Sequence, residues 1–298
     1  MNTTKSTDAR TNSHRRTLKR QQTNQIATVV ITGVAGLVVL PIILVILYIF
    51  INGIGAISWE FLTAKPRNGM TEGGIMPALL GTLLLTFGTG IVCIPLAIGA
   101  AIYLAEYAGD NRLTRWVRLA IVNLAGIPSI VYGLFGLGMF VLFLNFGTSI
   151  VAGSLTLGIM TLPVVISTAE EAILAVPQEF RVVSQSLGAT RWQTIRHQVL
   201  PHAIPGIITG VILGLSRAAG ETAPILFTVA AFYLPDLPQS VFDQTMALPY
   251  HLYVIATQVP GMPLEIQYGT ALVLLLLVLS LTLIATVIRT NMRRRRDW

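Results

Sequence analysis

Six stretches of the chain, 25–51, 79–107, 116–144, 150–176, 203–234 and 266–288, are apolar over the length needed to cross a bilayer. A hydrocarbon core takes roughly 20 helical residues. Inside it an unpaired strand would leave its backbone groups without partners, so each stretch is expected to be a helix. The implied fold is an all-α integral membrane protein with six transmembrane helices. Composition agrees: 11% of the 298 residues are charged, against roughly 25% in soluble domains. The run at 25–51 exceeds the roughly 7–15 residues of a secretory signal core, and no small-residue cleavage site follows it. It is expected to be an uncleaved anchor.

Charge placement gives the orientation. Of the 20 Lys and Arg, all but Lys65, Arg67 and Arg217 fall on one side of the expected spans. They are Lys5, Arg10, Arg15, Arg16, Lys19 and Arg20, then Arg112, Arg115 and Arg118, then Arg181, Arg191 and Arg196, and finally Arg289 and Arg293 to Arg296. By the positive-inside rule both termini and the two basic loops are expected in the cytoplasm of a bacterial cell, with the spans in its inner membrane. The expected organisation is a basic tail 1–24, an anchor helix 25–51, an external loop 52–78, a core of five spans 79–289, and a basic tail 290–298. Within the core, a cytoplasmic loop at 170–202 and an external loop at 235–265 are too long to be plain connectors. The net charge of +7 thus points to membrane lipid headgroups and not to nucleic acid. Cys93 is the single cysteine, so no intrachain disulfide forms.

Prolines fall inside five of the six stretches: Pro41, Pro95, Pro128, Pro163, and Pro205 with Pro224. Each removes a backbone hydrogen bond and crowds the carbonyl four residues back, which favours kinks around a cavity. Motifs for chemistry are missing. There is no G-x-x-x-x-G-K-S/T phosphate loop, H-E-x-x-H or G-x-S-x-G, and no clustered Cys and His, so no enzyme, metal site or cofactor is implied. His14, His197, His202 and His251 lie outside the spans and read as surface residues. No internal repeat marks an inverted-repeat carrier.

Arg217 and Glu221 are the charged residues in the middle of a span, the others lying near span ends. A charge at mid-helix costs roughly 2.5–3.5 kcal/mol on insertion scales, so such residues face a protein interior or a watery path. Their spacing of four puts both on one helix face. Two readings stand: a substrate pathway formed by Arg217, Glu221 and Thr222, or a buried ion pair that locks the helix to a neighbour. Pro224 cannot bond the Gly220 carbonyl, which weakens the helix beside Glu221. Gly206, Gly210 and Gly214 form a flat stripe for close helix approach, within this chain or against a partner.

The cytoplasmic loop carries VPQEFRVVSQSLGATRWQTIRHQVLP, residues 176–201. Two amphipathic helical patterns flank Gly188, with Phe180, Val183 and Leu187 in one and Trp192, Ile195 and Val199 in the other. Gly188 tolerates the positive φ that ends one helix and re-aims the next. Such a pair can dock in a partner's groove or rest on lipid headgroups.

Gly188 with Leu200 and Pro201 at the proper distance resembles the EAA-x3-G-x9-I-x-L-P loop of ABC-transporter permeases. Val182, Val183 and Ser184 stand at the EAA positions and Gln198 at the isoleucine. Three further segments, 126–138 (GIPSIVYGLFGLG), 216–228 (SRAAGETAPILFT) and 245–258 (TMALPYHLYVIATQ), resemble the PstA-type permease of phosphate-specific ABC transporters. The resemblance implies a type I, MetI-like permease that hydrolyses nothing itself and imports inorganic phosphate. It implies a second permease (PstC-type), an ATP-binding dimer (PstB-type) and an external phosphate-binding protein (PstS-type) as partners. It also implies an ATPase-coupling role for Glu179, Phe180, Arg181, Leu187, Gly188, Arg191, Trp192, Leu200 and Pro201. Permeases for molybdate or sulfate, and a channel or carrier independent of ATP, remain the alternative expectations.

Overall fold

A computed structural model describes residues 4–294. The basic side chains at 5–20 and 293–296, and His14, lie outside the described side chains. The chain divides into a unit Met1–Asn52 and a unit Gly53–Trp298. Helix α1 (Thr4–Gly53) runs without interruption through Pro41 and carries the first apolar run, Ala27–Ala56.

The second unit opens with α2 (Trp59–Thr63) and a two-stranded hairpin of β1 (Pro66–Arg67) and β2 (Glu72–Gly73). Then come α3 (Met76–Ile102), extended by a π-helical turn to Tyr107, α4 (Arg112–Ala125), α5 (Ser129–Gly136), extended to Phe143, and α6 (Ile150–Leu174). Helix α7 (Gln178–Ser186) precedes α8 (Arg191–Thr194), which passes through a π-helical turn into α9 (Leu200–Ala219). Helices α10 (Ala223–Thr228), α11 (Leu248–Thr257) and α12 (Leu264–Arg294) complete the chain. Polar caps start the helices where the sequence supplies them. Asn111 accepts from Thr114 N at 2.8 Å before α4, and Ser149 from Ala152 N at 3.2 Å before α6. Each satisfies an N–H that the helix leaves unpaired.

Helix α6 sits between α3 and α9, and the contacts are made by small residues. A Cβ on Gly206, Gly210 or Gly214 would run into Ala172, Thr168 or Val165 of α6. The glycine stripe therefore serves a contact inside this chain. With lipid outside, helix association rests on such close packing and not on apolar burial alone. Thr82, Thr86, Thr156, Thr161 and Thr168 donate their hydroxyls to carbonyls four residues back, at 2.7–2.8 Å, so their donors are satisfied within their own helices.

Among the described residues five helices are individually long and apolar enough to cross, and a bent pair makes the sixth candidate span. That pair corrects the expectation of one helix over 116–144: α4 and α5 meet at 101° across Gly126–Ile127–Pro128. The fifth stretch is also divided, since α9 stops at Ala219 and α10 starts at Ala223. Pro128 and Pro224 stand at these two breaks, while Pro41, Pro95, Pro163 and Pro205 lie inside continuous helices. The segment 235–265, expected as an external loop, holds α11, and Leu248, Val254 and Ile255 there are fully buried. His251, expected at the surface, is buried as well (3% exposed).

Candidate functional site at two broken helices

The end of α9 is set by backbone chemistry. Gly220 is a poor helix residue, and Pro224 has no N–H for the Gly220 carbonyl. The last turn tightens instead, with Gly220 N on Arg217 O at 3.1 Å and Glu221 N on Ala218 O at 3.2 Å. Glu221 therefore lies past the helix end, which corrects the picture of a pair on one helix face. The two side chains still meet, Arg217 Nε to Glu221 Oε1 at 3.3 Å.

The other break comes to the same place. Gly126 N and Ile127 N close the last turn of α4 on Asn123 and Leu124 carbonyls, each at 3.1 Å. Tyr132 then reaches back and donates its hydroxyl to Leu124 O at 2.7 Å, holding the corner. Gly133 lets α5 lie against the start of α10, where a Cβ would sit 3.0 Å from Ala223 O and Pro224 Cα. Irregular backbone within a membrane is tolerated only inside protein or along a watery cavity; beside the breaks Pro224, Ile225, Tyr132 and Gly133 are buried, whereas Gly126, Pro128 and Gly220 at the breaks are exposed.

The third segment closes the site. Thr245 N bonds Val229 O at 3.3 Å and Ala231 N bonds Thr245 O at 3.1 Å, so Thr245 pairs with the chain leaving α10. Leu248 N, at the start of α11, donates to Thr82 Oγ1 of α3 at 2.8 Å. A void of about 10 Å³ is bounded by Glu221, Ala218, Thr82, Thr86, Ala247 and Pro249. That is about the least space that holds one water.

The two charges differ in their surroundings. The Glu221 side chain is 17% exposed and faces this void, whereas that of Arg217 is 45% exposed. Nε of Arg217 is bonded to Glu221, and among the described residues its two Nη atoms take no protein acceptor. The guanidinium thus leaves most of its donor fork exposed. Thr222 occupies the break itself, half-buried beside Glu221.

The cytoplasmic-loop residues sort into two sets. Gly188 has φ +84°, and Gly188 N on Gln185 O (2.9 Å) with Ala189 N on Ser184 O (3.2 Å) makes a Schellman stop to α7. Thr190 and Gln193 form a reciprocal capping box that restarts the chain as α8, a signal present in the sequence as T-x-x-Q. Glu179, Phe180 and Val183 of α7, Leu187 that caps it, and Gln193 and His197 beyond the turn line a groove of about 480 Å³. Leu187 and Trp192 are exposed, and Phe180 stacks on His202, ring centroids 4.8 Å apart. Ile195 and Val199 turn inward, as do parts of the other set. Arg181 is buried on Glu106, because five donors at that depth need acceptors. Arg191 likewise bonds the Glu106 carbonyl and lies over the Tyr107 ring. Leu200 and Pro201 begin α9. Glu106 and Tyr132 were not singled out in the sequence, though Tyr132 lies within one of the quoted segments.

Residues 93–298 match the family model described as "Binding-protein-dependent transport system inner membrane component". The chain belongs to this family. It is a transport subunit of the ABC permease type, with an all-α, MetI-like fold. The probable ABC transporter permease protein YqgI of Bacillus subtilis is 34% identical over 93% of this chain and 99% of its own length. The phosphate transport system permease protein PstA 1 of Mycobacterium tuberculosis is 34% identical over 94% of this chain and 93% of its own. Among solved structures, an inward-facing MetNI methionine ABC transporter matches with a TM-score of 0.60 at 18% identity, over 72% of this chain and 94% of the other. That likeness carries the fold.

Proposed function

We propose that this chain is a permease subunit of an ATP-driven importer of inorganic phosphate, and that Arg217 is its anion contact. The substrate class is supported by the 34% identity to a phosphate permease along nearly the whole chain. The residue is supported by one observation: a half-exposed guanidinium with both Nη atoms unspent, where two interrupted helices meet. A planar fork matches phosphate oxygens and stays charged in a dry site. Glu221 neutralises it when no anion is present and, as an acceptor, takes a hydrogen bond from protonated phosphate that sulfate does not offer. Thr222 lies beside both.

In this reading the partners are a second permease of PstC type, an ATP-binding dimer of PstB type and a phosphate-binding protein of PstS type. Both termini lie in the cytoplasm. Docking of the ATP-binding chain falls to Glu179, Phe180, Leu187 and Trp192 around the groove, with Gly188 setting the angle between the two arms. Arg181, Arg191, Leu200 and Pro201 hold that face from behind.

The test is ATP-dependent uptake of labelled phosphate into vesicles carrying the assembled transporter, challenged with excess molybdate and sulfate. Uptake that needs this chain and resists both is expected. Displacement by a competitor would move the substrate to another oxyanion, and uptake without ATP would remove the ATP-driven reading. For the site, the neutral double variant Arg217→Gln with Glu221→Gln is expected to assemble and fail to transport. Normal assembly with wild-type transport would reduce the pair to a structural link.

A further inference from the structure

One turn at the end of α3 receives an arginine from each arm of the cytoplasmic loop. Arg181, from α7, places Nε at 3.0 Å and Nη2 at 2.7 Å from Glu106 Oε1. Its other donors go to the carbonyls of Ile173 in the last turn of α6, at 2.9 Å, and of Val176 in the segment that joins α6 to α7, at 2.7 Å. Arg191, from beyond Gly188, bonds the Glu106 backbone carbonyl and lies 5.1 Å over the Tyr107 ring. Ser184 and Thr194 join the two arms at 3.0 Å. The loop is thereby one braced piece, fastened to α3 as well as to the helices it connects.

The other end of α3 reaches the candidate site. Thr82 accepts the Leu248 N–H of α11 and, with Thr86, faces the void beside Glu221. A continuous helical run from Met76 to Tyr107 joins these two ends. We propose that Glu106 is a positioning residue: it holds the braced loop to α3, so that movement of the loop against an ATP-hydrolysing partner shifts Thr82 and Thr86 against Glu221. The inference rests on the reading of the loop as a docking surface. What it adds is the route, a rigid element whose position both ends bias.

The experiment uses the assembled transporter in proteoliposomes with its binding protein, comparing wild type, Glu106→Gln and Arg191→Gln. Three quantities are read: ATP-binding chain copurified, ATP hydrolysis stimulated by the loaded binding protein, and uptake per assembled complex. Glu106→Gln keeps the shape and removes the charge. Because the glutamine carbonyl still accepts from Arg181, whose other donors stay on backbone carbonyls, the variant is expected to copurify its partner at close to the wild-type level while stimulation per complex falls about ten-fold. Arg191→Gln is expected to lose about three-fold, and Arg191→Lys, which keeps the cation over Tyr107, to recover most of it. A merely structural role would lower copurification and uptake together and leave stimulation per complex unchanged, and that result would overturn the proposal. If Glu106→Gln forms no complex, Arg191→Gln decides alone: wild-type stimulation there would equally overturn it. Failure of the phosphate reading shows separately, as absent uptake in wild type.

Discussion

Two arginine–glutamate pairs in this molecule are built to opposite specifications. At the cytoplasmic loop, Arg181 and Glu106 are 10% and 8% exposed, two guanidinium nitrogens share one carboxylate oxygen, and backbone carbonyls take the rest of the fork. At the broken helices, Arg217 is 45% exposed and holds Glu221 through one 3.3 Å bond. The residue types are the same, so the difference lies in the acceptors around them. A saturated pair has nothing left to offer a ligand, and a pair with spare donors does. Burial alone would rank the two the wrong way round for transport.

The sharpest way to break this comparison is to remove one partner from each. Arg181→Ala leaves Glu106 buried and unpaired, a loss of about 3–5 kcal/mol. Thermal unfolding of the purified chain in detergent should show a large downward shift, or the chain should fail to accumulate. Arg217→Gln should change unfolding by less than about 1 kcal/mol, as for an exposed pair. Equal destabilisation by both would erase the distinction.

A smaller effect tests how closely the broken helices must meet. Gly133→Val forces a branched side chain against Ala223 and Pro224, and overpacking of this kind costs about 1–3 kcal/mol. Uptake per complex should fall several-fold more than copurification of the ATP-binding chain. Gly188→Ala acts on the other region. Its φ of +84° disfavours a side chain by about 1–2 kcal/mol, and the loss should appear as weaker assembly with little change in selectivity among anions.

The smallest effect is a pH dependence from α11. Burial pushes the His251 imidazole down to about 4, so it is neutral in the folded chain at pH 7. The unfolded chain binds that proton near pH 6.5, hence its contribution to stability is whole above pH 6.5 and fades as pH falls toward 4. Unfolding temperature should drop across that window, and His251→Gln should flatten part of the slope. An unchanged slope would place the dependence elsewhere.

The long apolar runs, the helix start and stop signals around Gly188, and the family loop were all legible in order along the chain. Periodicity and capping are local, and each such signal sits within a few residues of what it controls. Pro128 and Pro224 were legible as weak points, yet four other prolines lie in uninterrupted helices, so a proline by itself does not say which helix breaks. Likewise, Arg217 and Glu221 stood out because charge inside an apolar run is costly, a fact that needs no neighbours.

What the sequence by itself determined was a bundle of membrane helices with a charged residue pair and a hinged cytoplasmic loop. Tertiary structure decided that the two broken helices meet where Gly133 lies against Ala223 and Pro224, that α11 bonds Thr82, and that Arg181 pairs with Glu106. These depend on which residues from distant parts of the chain come within a few ångströms. The hydrogen-bonding capacity of an arginine is written in its side chain, but whether that capacity is used up is set by the acceptors that folding brings to it.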